Sequence, residues 1–184
     1  LALYLLTFIL CFDGTGWYKR DVFLSMVAAA LGVMAWTQAD PSLTHELAIQ
    51  VGVFCTGLFL ACMFCHGELV LLKPSPRYLT RFYLMISLGG AVGSVLVGIL
   101  APLLLPAYFE LGAALALCAL LLLWQARRDH AVFGILGLVS LFVTIGCAGW
   151  YVREFYDGTI VAKRNFYGVL RVWETGSDAS QKRM

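Results

Sequence analysis

His66, Glu68, Arg77, Arg81 and Tyr83 form the one dense set of functional side chains beside the long apolar runs of this chain. They fall where a polar, proline-punctuated loop leads into an uncharged run of membrane length, within residues 65–106. An imidazole, a carboxylate, two guanidiniums and a phenol at a bilayer surface suit two tasks. They can bind an anionic headgroup, or cap helix ends on the cytoplasmic side. The plainer alternative is an ordinary basic membrane loop. Pro74 and Pro76 stiffen it, since each presses the preceding residue out of helical conformation. Just upstream, Cys62-Met63-Phe64-Cys65-His66 spells C-x-x-C-H, the spacing of haem c attachment. The motif sits at a helix end with no soluble haem domain around it, so haem c at Cys62, Cys65 and His66 is not expected. These thiols, with Cys11, Cys55, Cys118 and Cys147, lie within or at the ends of apolar runs. Packed thiols acting as small apolar side chains are the expectation, not a disulfide framework.

No catalytic, cofactor-binding or metal-ligating set assembles from the rest. The chain contains no Walker loop, no H-E-x-x-H and no G-x-S-x-G. The fourth and sixth apolar runs carry no Asp, Glu, Lys, Arg or His inside, whereas an ion-coupled transporter places ionisable groups near the midplane. The fourth run does carry small residues at helical spacing: Gly89 and Gly93, and Gly90, Ser94 and Gly98. Such spacing lets two helix backbones approach closely. Packing inside this protein is expected of them, and a homodimer seam is the sharper reading. Pro102 should weaken the last turn, and Pro106 should end it.

The elements that position these residues follow from composition. Of 184 residues, 61% are apolar and 13% charged, against roughly 25% charged in soluble domains. Such a chain cannot cover its surface with charge, so the lipid bilayer is its expected solvent. A net charge of +2, held in short clusters between apolar runs, gives no reason to expect nucleic acid. The expected fold is an all-α integral membrane bundle with about five full spans and one partial span. The partial span is 1–12, and the full ones are 22–39, 47–65, 82–105, 107–124 and 131–152. Each full run approaches the roughly twenty residues that a 30 Å hydrocarbon core requires. Gly14 and Gly16 break the helix to give a loop over 13–21, and Asp40-Pro41-Ser42 reads as a turn. From residue 153 the composition changes. Residues 159–162 and 166–173 read as two strands of a hairpin over 159–173, with Lys163-Arg164-Asn165 as its turn. Two strands alone are marginal in water, so this hairpin should begin an incomplete soluble α/β domain over 153–184.

Loop charges alternate. Lys19 and Arg20, then Lys73, Arg77 and Arg81, then Arg127 and Arg128 fall on one side; Asp40, Glu46 and Glu110 fall on the other. The positive-inside rule makes the first side cytoplasmic and the tail extracytoplasmic, with a bacterial inner membrane as the expected location. The chain opens without an initiator Met inside an apolar run, so it is expected to be an internal piece of a longer protein.

Several segments carry a resemblance. They are Cys65-His66-Gly67-Glu68-Leu69, then Pro74-x-Pro76-Arg77-x-Leu79-Thr80-x-Phe82-Tyr83-Leu84, then Ser87-x-Gly89-Gly90-x-x-Gly93 and Ala101-Pro102. Together they resemble the membrane portion of fused, spermidine synthase-like integral membrane proteins. Residues 163–172, reading KRNFYGVLRV, resemble the start of the aminopropyltransferase-like soluble domain of that family. The resemblance implies a multi-span, sometimes transporter-like region, then a β-hairpin segment, then a Rossmann-type domain. It implies decarboxylated S-adenosylmethionine as cofactor of the longer polyamine-making transferase, with no catalysis by this chain itself. The implied partners are upstream helices and a downstream soluble domain, with a homo-oligomer or membrane complex as a further option. The alternative is a non-enzymatic scaffold or transporter-like module with a degenerate soluble domain.

Overall fold

A backbone that cannot hydrogen-bond to water must bond to itself, so the uncharged runs fold as helices. The computed structural model describes residues 1–13, 16, 18–39, 47–127, 131–165 and 167–173. The described helices are α1 (Ala2–Phe12), α2 (Arg20–Ala39), α3 (Leu47–Leu71), α4 (Pro76–Leu104), α5 (Glu110–Ala126) and α6 (Ala131–Tyr156). They are followed by β1 (Thr159–Asn165) and β2 (Gly168–Trp173), paired antiparallel. The helices α2, α3, α4 and α6 are long and apolar enough to cross a membrane. The expected partial span is the 11-residue α1, and the expected fifth span is α5, with 17 residues. Gly14, Trp17, the turn at Asp40-Pro41-Ser42, Glu46, Arg128, Phe166 and the polar stretch from 174 onward lie outside the described residues.

The core is centred on α2. Leu24, Val27, Ala28, Leu31, Met34 and Ala35 of this helix pack with Leu60 and Phe64 of α3 and Leu115, Ala119 and Leu122 of α5. α6 lies against both α2 and α5, and α1 lies against α3. In lipid, van der Waals fit holds helices together rather than release of water, so small residues belong where backbones meet. The closest approaches use Gly57, Gly67, Gly112 and Gly137. A Cβ on Gly137 would lie 2.9 Å from the Leu123 Cα, and one on Gly112 3.2 Å from the Ala148 Cβ. At Gly57 it would strike the Met34 side chain, and at Gly67 the Tyr18 ring.

The small residues of α4 are used differently from the expectation. A Cβ at Gly89, Gly90, Gly93 or Gly98 would meet nothing within 4 Å, and the Ser94 hydroxyl donates to the Gly90 carbonyl at 2.8 Å. Their expected packing within this chain is therefore not formed among the described residues. Pro102 is accommodated by a π turn at Leu96–Leu100, where the Ala101 N–H reaches the Leu96 carbonyl. Widening the preceding turn relieves the clash that a proline ring makes with the carbonyl four residues back. Leu105, the residue before Pro106, is extended, at φ −105° and ψ 131°, so the helix ends at Leu104, as steric conflict with the proline requires.

α3 runs to Leu71, six residues beyond the expected end at Cys65, so His66 and Glu68 are helical and buried rather than in a loop. The real loop covers Leu72 to Ser75. In the hairpin, Lys163, Arg164 and Asn165 belong to β1, not to the turn. Asn165 faces Gly168 in the register, and its Oδ1 accepts from the N–H groups of Tyr167 (3.0 Å) and Gly168 (3.1 Å). That side chain sets the turn, as asparagine does when it bonds the backbone ahead of it. Between α6 and β1, Gly158 takes φ +66°, the left-handed conformation that lets a helix end in a tight exit.

Candidate functional site

The five side chains singled out in the sequence do not form one site. His66 and Glu68 point into the bundle, whereas Arg77, Arg81 and Tyr83 line its surface. Arg77 lies over the Tyr78 ring at 5.9 Å, and Tyr83 meets Phe12 at 6.0 Å between ring centres. Arg81 borders a shallow hollow with Leu72, Pro74, Tyr78, Phe82 and Met85. The difference follows from α3 continuing one and a half turns further than expected.

Glu68 joins three helix ends. Its Oε1 accepts from the Tyr18 hydroxyl at 2.7 Å and from Arg20 Nε at 2.9 Å, and its Oε2 accepts from Gln125 Nε2 at 2.8 Å. Arg20 Nη2 also donates to the Gln125 carbonyl at 3.2 Å. Gly67 makes this possible, because the Tyr18 ring lies across α3 where a Cβ would stand. The carboxylate thus has both oxygens satisfied, which lets it be only 8% exposed. Burial, and next the hydrogen bond to Glu68, push the Tyr18 hydroxyl well above the ordinary tyrosine pKa of 10.0.

His66 is also committed. Its Nδ1 stands 3.0 Å from Thr7 Oγ1, while the Thr7 hydroxyl donates to the Tyr4 carbonyl at 2.9 Å. With the threonine proton so placed, the imidazole Nδ1–H is the donor of the pair. Tyr4 and Phe8 close on the ring edge-on, at 4.8 and 5.5 Å. Cys62 and Cys65 lie within the same continuous helix, half-buried, and Cys11 Sγ packs 3.7 Å from Met63 Sδ. Among the described residues, no group of three or more His, Cys, Asp or Glu side chains is placed to hold a metal ion.

The opposite end of the bundle holds a second polar cluster. Arg164 of β1 grips Glu110, the first residue of α5, with Nη1 at 2.8 Å from Oε2 and Nη2 at 2.7 Å from Oε1. Its Nη1 also donates to the Ala107 carbonyl at 2.9 Å, and its guanidinium lies 4.4 Å from the centre of the Tyr108 ring. The arginine side chain is only 7% exposed. The adjacent carboxylate, through its hydrogen bonds, holds the Arg164 proton more firmly than usual. Arg171 of β2 lies over Phe155 at 4.8 Å and donates to the Thr159 hydroxyl at 2.8 Å, and to the carbonyls of Glu154 and Asp157 at 3.2 Å each. The Thr159 hydroxyl in turn donates to the Phe155 carbonyl. Phe109, Tyr151, Phe155 and Tyr156 pack around this junction.

Arg164, read from the sequence as a turn residue, and Gln125 were not among the expected site residues. Glu110 offered the one available signal: an acid opening an apolar helix wants a cation, and the nearest in space comes from 54 residues away. The contacts also sort the loops. Tyr18, Arg20, Glu68 and Gln125 share one end, and Glu110, Tyr156 and the hairpin share the other. Within each polar cluster the charges pair with one another, Arg20 with Glu68 and Arg164 with Glu110, which suits holding helices and strands in place. No protein-family model, no curated protein and no solved structure matches the chain.

Proposed function

We propose that residues 1–156 form a membrane anchor that fixes the orientation of a soluble domain begun by the hairpin. The observation that carries this reading is the Arg164 grip on Glu110, Ala107 and Tyr108. A tethered domain needs only a linker; a domain held in one orientation needs a second, directional attachment. A bidentate arginine–carboxylate pair supplies direction as well as energy.

Two extensions complete the proposal. α5 also crosses the bilayer: 17 residues span about 25 Å at 1.5 Å each, and a helix that short is accommodated by local thinning. The end bearing Lys19, Arg20, Lys73, Arg77, Arg81 and Arg127 faces the cytoplasm of a bacterial inner membrane, and the hairpin lies outside. The resemblance to spermidine synthase-like proteins supplies the class of the attached domain, an aminopropyltransferase-like transferase. In this reading the chemistry belongs to that domain and not to the bundle. The experiment is hydrogen exchange across the hairpin of the membrane-embedded protein, with and without Arg164. Loss of hairpin protection on removing Arg164 supports anchoring with orientation. Hairpin exchange indifferent to Arg164 refutes it.

A further inference from the structure

At the hairpin end, α2 and α6 part to leave a cleft of about 470 Å³, lined by Trp36, Ala39, Gly146, Cys147, Trp150 and Glu154. It continues into a smaller hollow of about 190 Å³ that shares Ala39 and Glu154 and adds Tyr151, Phe155 and Arg171, whose guanidinium bonds the Thr159 hydroxyl and the Glu154 and Asp157 carbonyls. Its walls are aromatic and it contains one carboxylate. Trp36 and Trp150 are 56% and 62% exposed, so their rings are open to an occupant rather than consumed by packing. The Trp150 indole N–H donates to Glu154 Oε2 at 3.0 Å, which fixes both the ring and the acid. Among the described residues that N–H bonds the Glu154 carboxylate, while the Arg171 guanidinium, on the adjoining hollow, donates to the Glu154 main-chain carbonyl at 3.2 Å. Gly146, one turn before Trp150, forms part of the lining: a Cβ there would meet nothing within 4 Å.

Indole faces beside a carboxylate attract a compact organic cation, the rings through their quadrupole and the acid through its charge. We propose that this cleft binds an alkylammonium group at the membrane surface. The last turn of α2 and the corresponding turn of α6 put it at headgroup depth, where a lipid such as phosphatidylethanolamine presents its ammonium. Ordinary interfacial tryptophans need neither the fixed carboxylate nor the glycine-lined gap between them.

The test uses the purified chain in nanodiscs of phosphatidylglycerol, which carries no ammonium, titrated with butylammonium while tryptophan emission is followed. The wild type should show a saturable change. Glu154→Gln, which keeps an acceptor for Trp150, should bind about tenfold more weakly. Gly146→Leu places a side chain in the gap from a position where a Cβ meets nothing within 4 Å, and should abolish saturation. Melting of each variant checks that the bundle is intact. Adding phosphatidylethanolamine to the discs separates the sources: weaker apparent butylammonium binding assigns the cleft to the lipid headgroup, and unchanged binding to a soluble amine. Both outcomes support an ammonium site. A wild-type response that never saturates, or equal affinity in both folded variants, overturns it.

Discussion

Replacing Arg164 with alanine should release the hairpin from the bundle while leaving the helices folded. The side chain makes two bonds to Glu110, at 2.8 and 2.7 Å, one to the Ala107 carbonyl at 2.9 Å, and stacks on Tyr108. Hydrogen bonds to charged groups contribute about 1.5–3 kcal/mol each before compensation. Compensation is substantial here. Glu110, at 19% exposed, regains water once unpaired. The freed segment also regains conformational entropy, of order 1–2 kcal/mol for each ordered residue. The net loss is about 2 kcal/mol, between the values for an exposed pair and a fully buried one. That corresponds to roughly 30-fold faster exchange of hairpin amides, because an undocked two-stranded hairpin is marginal in water. Arg164→Lys keeps the charge but not the fork, and should lose about half as much. The assay is hydrogen exchange read by mass spectrometry, comparing peptides from 159–173 with peptides from α2. A uniform rise over both regions would show that Arg164 supports the whole bundle. No rise at the hairpin would show that Arg164 does not hold it. Either result refutes the reasoning.

Gly137→Ala should lower the melting temperature in detergent, by an overpacking cost of about 1–3 kcal/mol, because its Cβ meets the Leu123 backbone. Gly90→Leu and Gly93→Leu should leave melting of the same preparation unchanged, since both positions face open space. Tyr18→Phe should flatten the alkaline loss of stability. Tyr18 has a folded pKa raised above its unfolded 10.0, so its contribution is complete below pH 10 and declines as pH rises beyond it. Thermal melts between about pH 9 and 11 should therefore fall more steeply for wild type than for Tyr18→Phe. Carbonate extraction should leave the protein in the membrane pellet; recovery in the supernatant would contradict the spans. Cysteine placed at Tyr167, 94% exposed on the hairpin, in an otherwise cysteine-free variant should react with an impermeant maleimide in intact cells. Labelling only after lysis would place the hairpin in the cytoplasm.

The apolar runs were legible because charge is so costly in hydrocarbon that its absence marks a helix without any partner being known. The ends of the helices were less legible. Glu68 looked like a loop residue because its partners, Tyr18, Arg20 and Gln125, lie 48 to 57 positions away in sequence. A buried carboxylate cannot be recognised until its donors are found. The glycines show the same limit. The regular set in α4 advertised a close approach, yet the contacts fall at Gly57 and Gly67 of α3, against Met34 and Tyr18, and at Gly112 and Gly137, between α5 and α6. Regular spacing describes one helix; which helix approaches it is decided elsewhere. The hairpin's composition identified its extent, but the bond from Asn165 to Gly168, not the charge pair Lys163-Arg164, fixed where the chain reverses.

The exit from α6 has a mechanical consequence. The helix is a rod of 26 residues, about 39 Å long, and passes to β1 through only Asp157 and Gly158. β1 is then clamped by Arg164 to the neighbouring α5. The hairpin is thus mounted at two points on two different rods, as a pointer pivoted on one arm and pushed by another. A slide or twist of α5 against α6, set by the Gly137 crossing, would swing the hairpin instead of being lost in a slack joint.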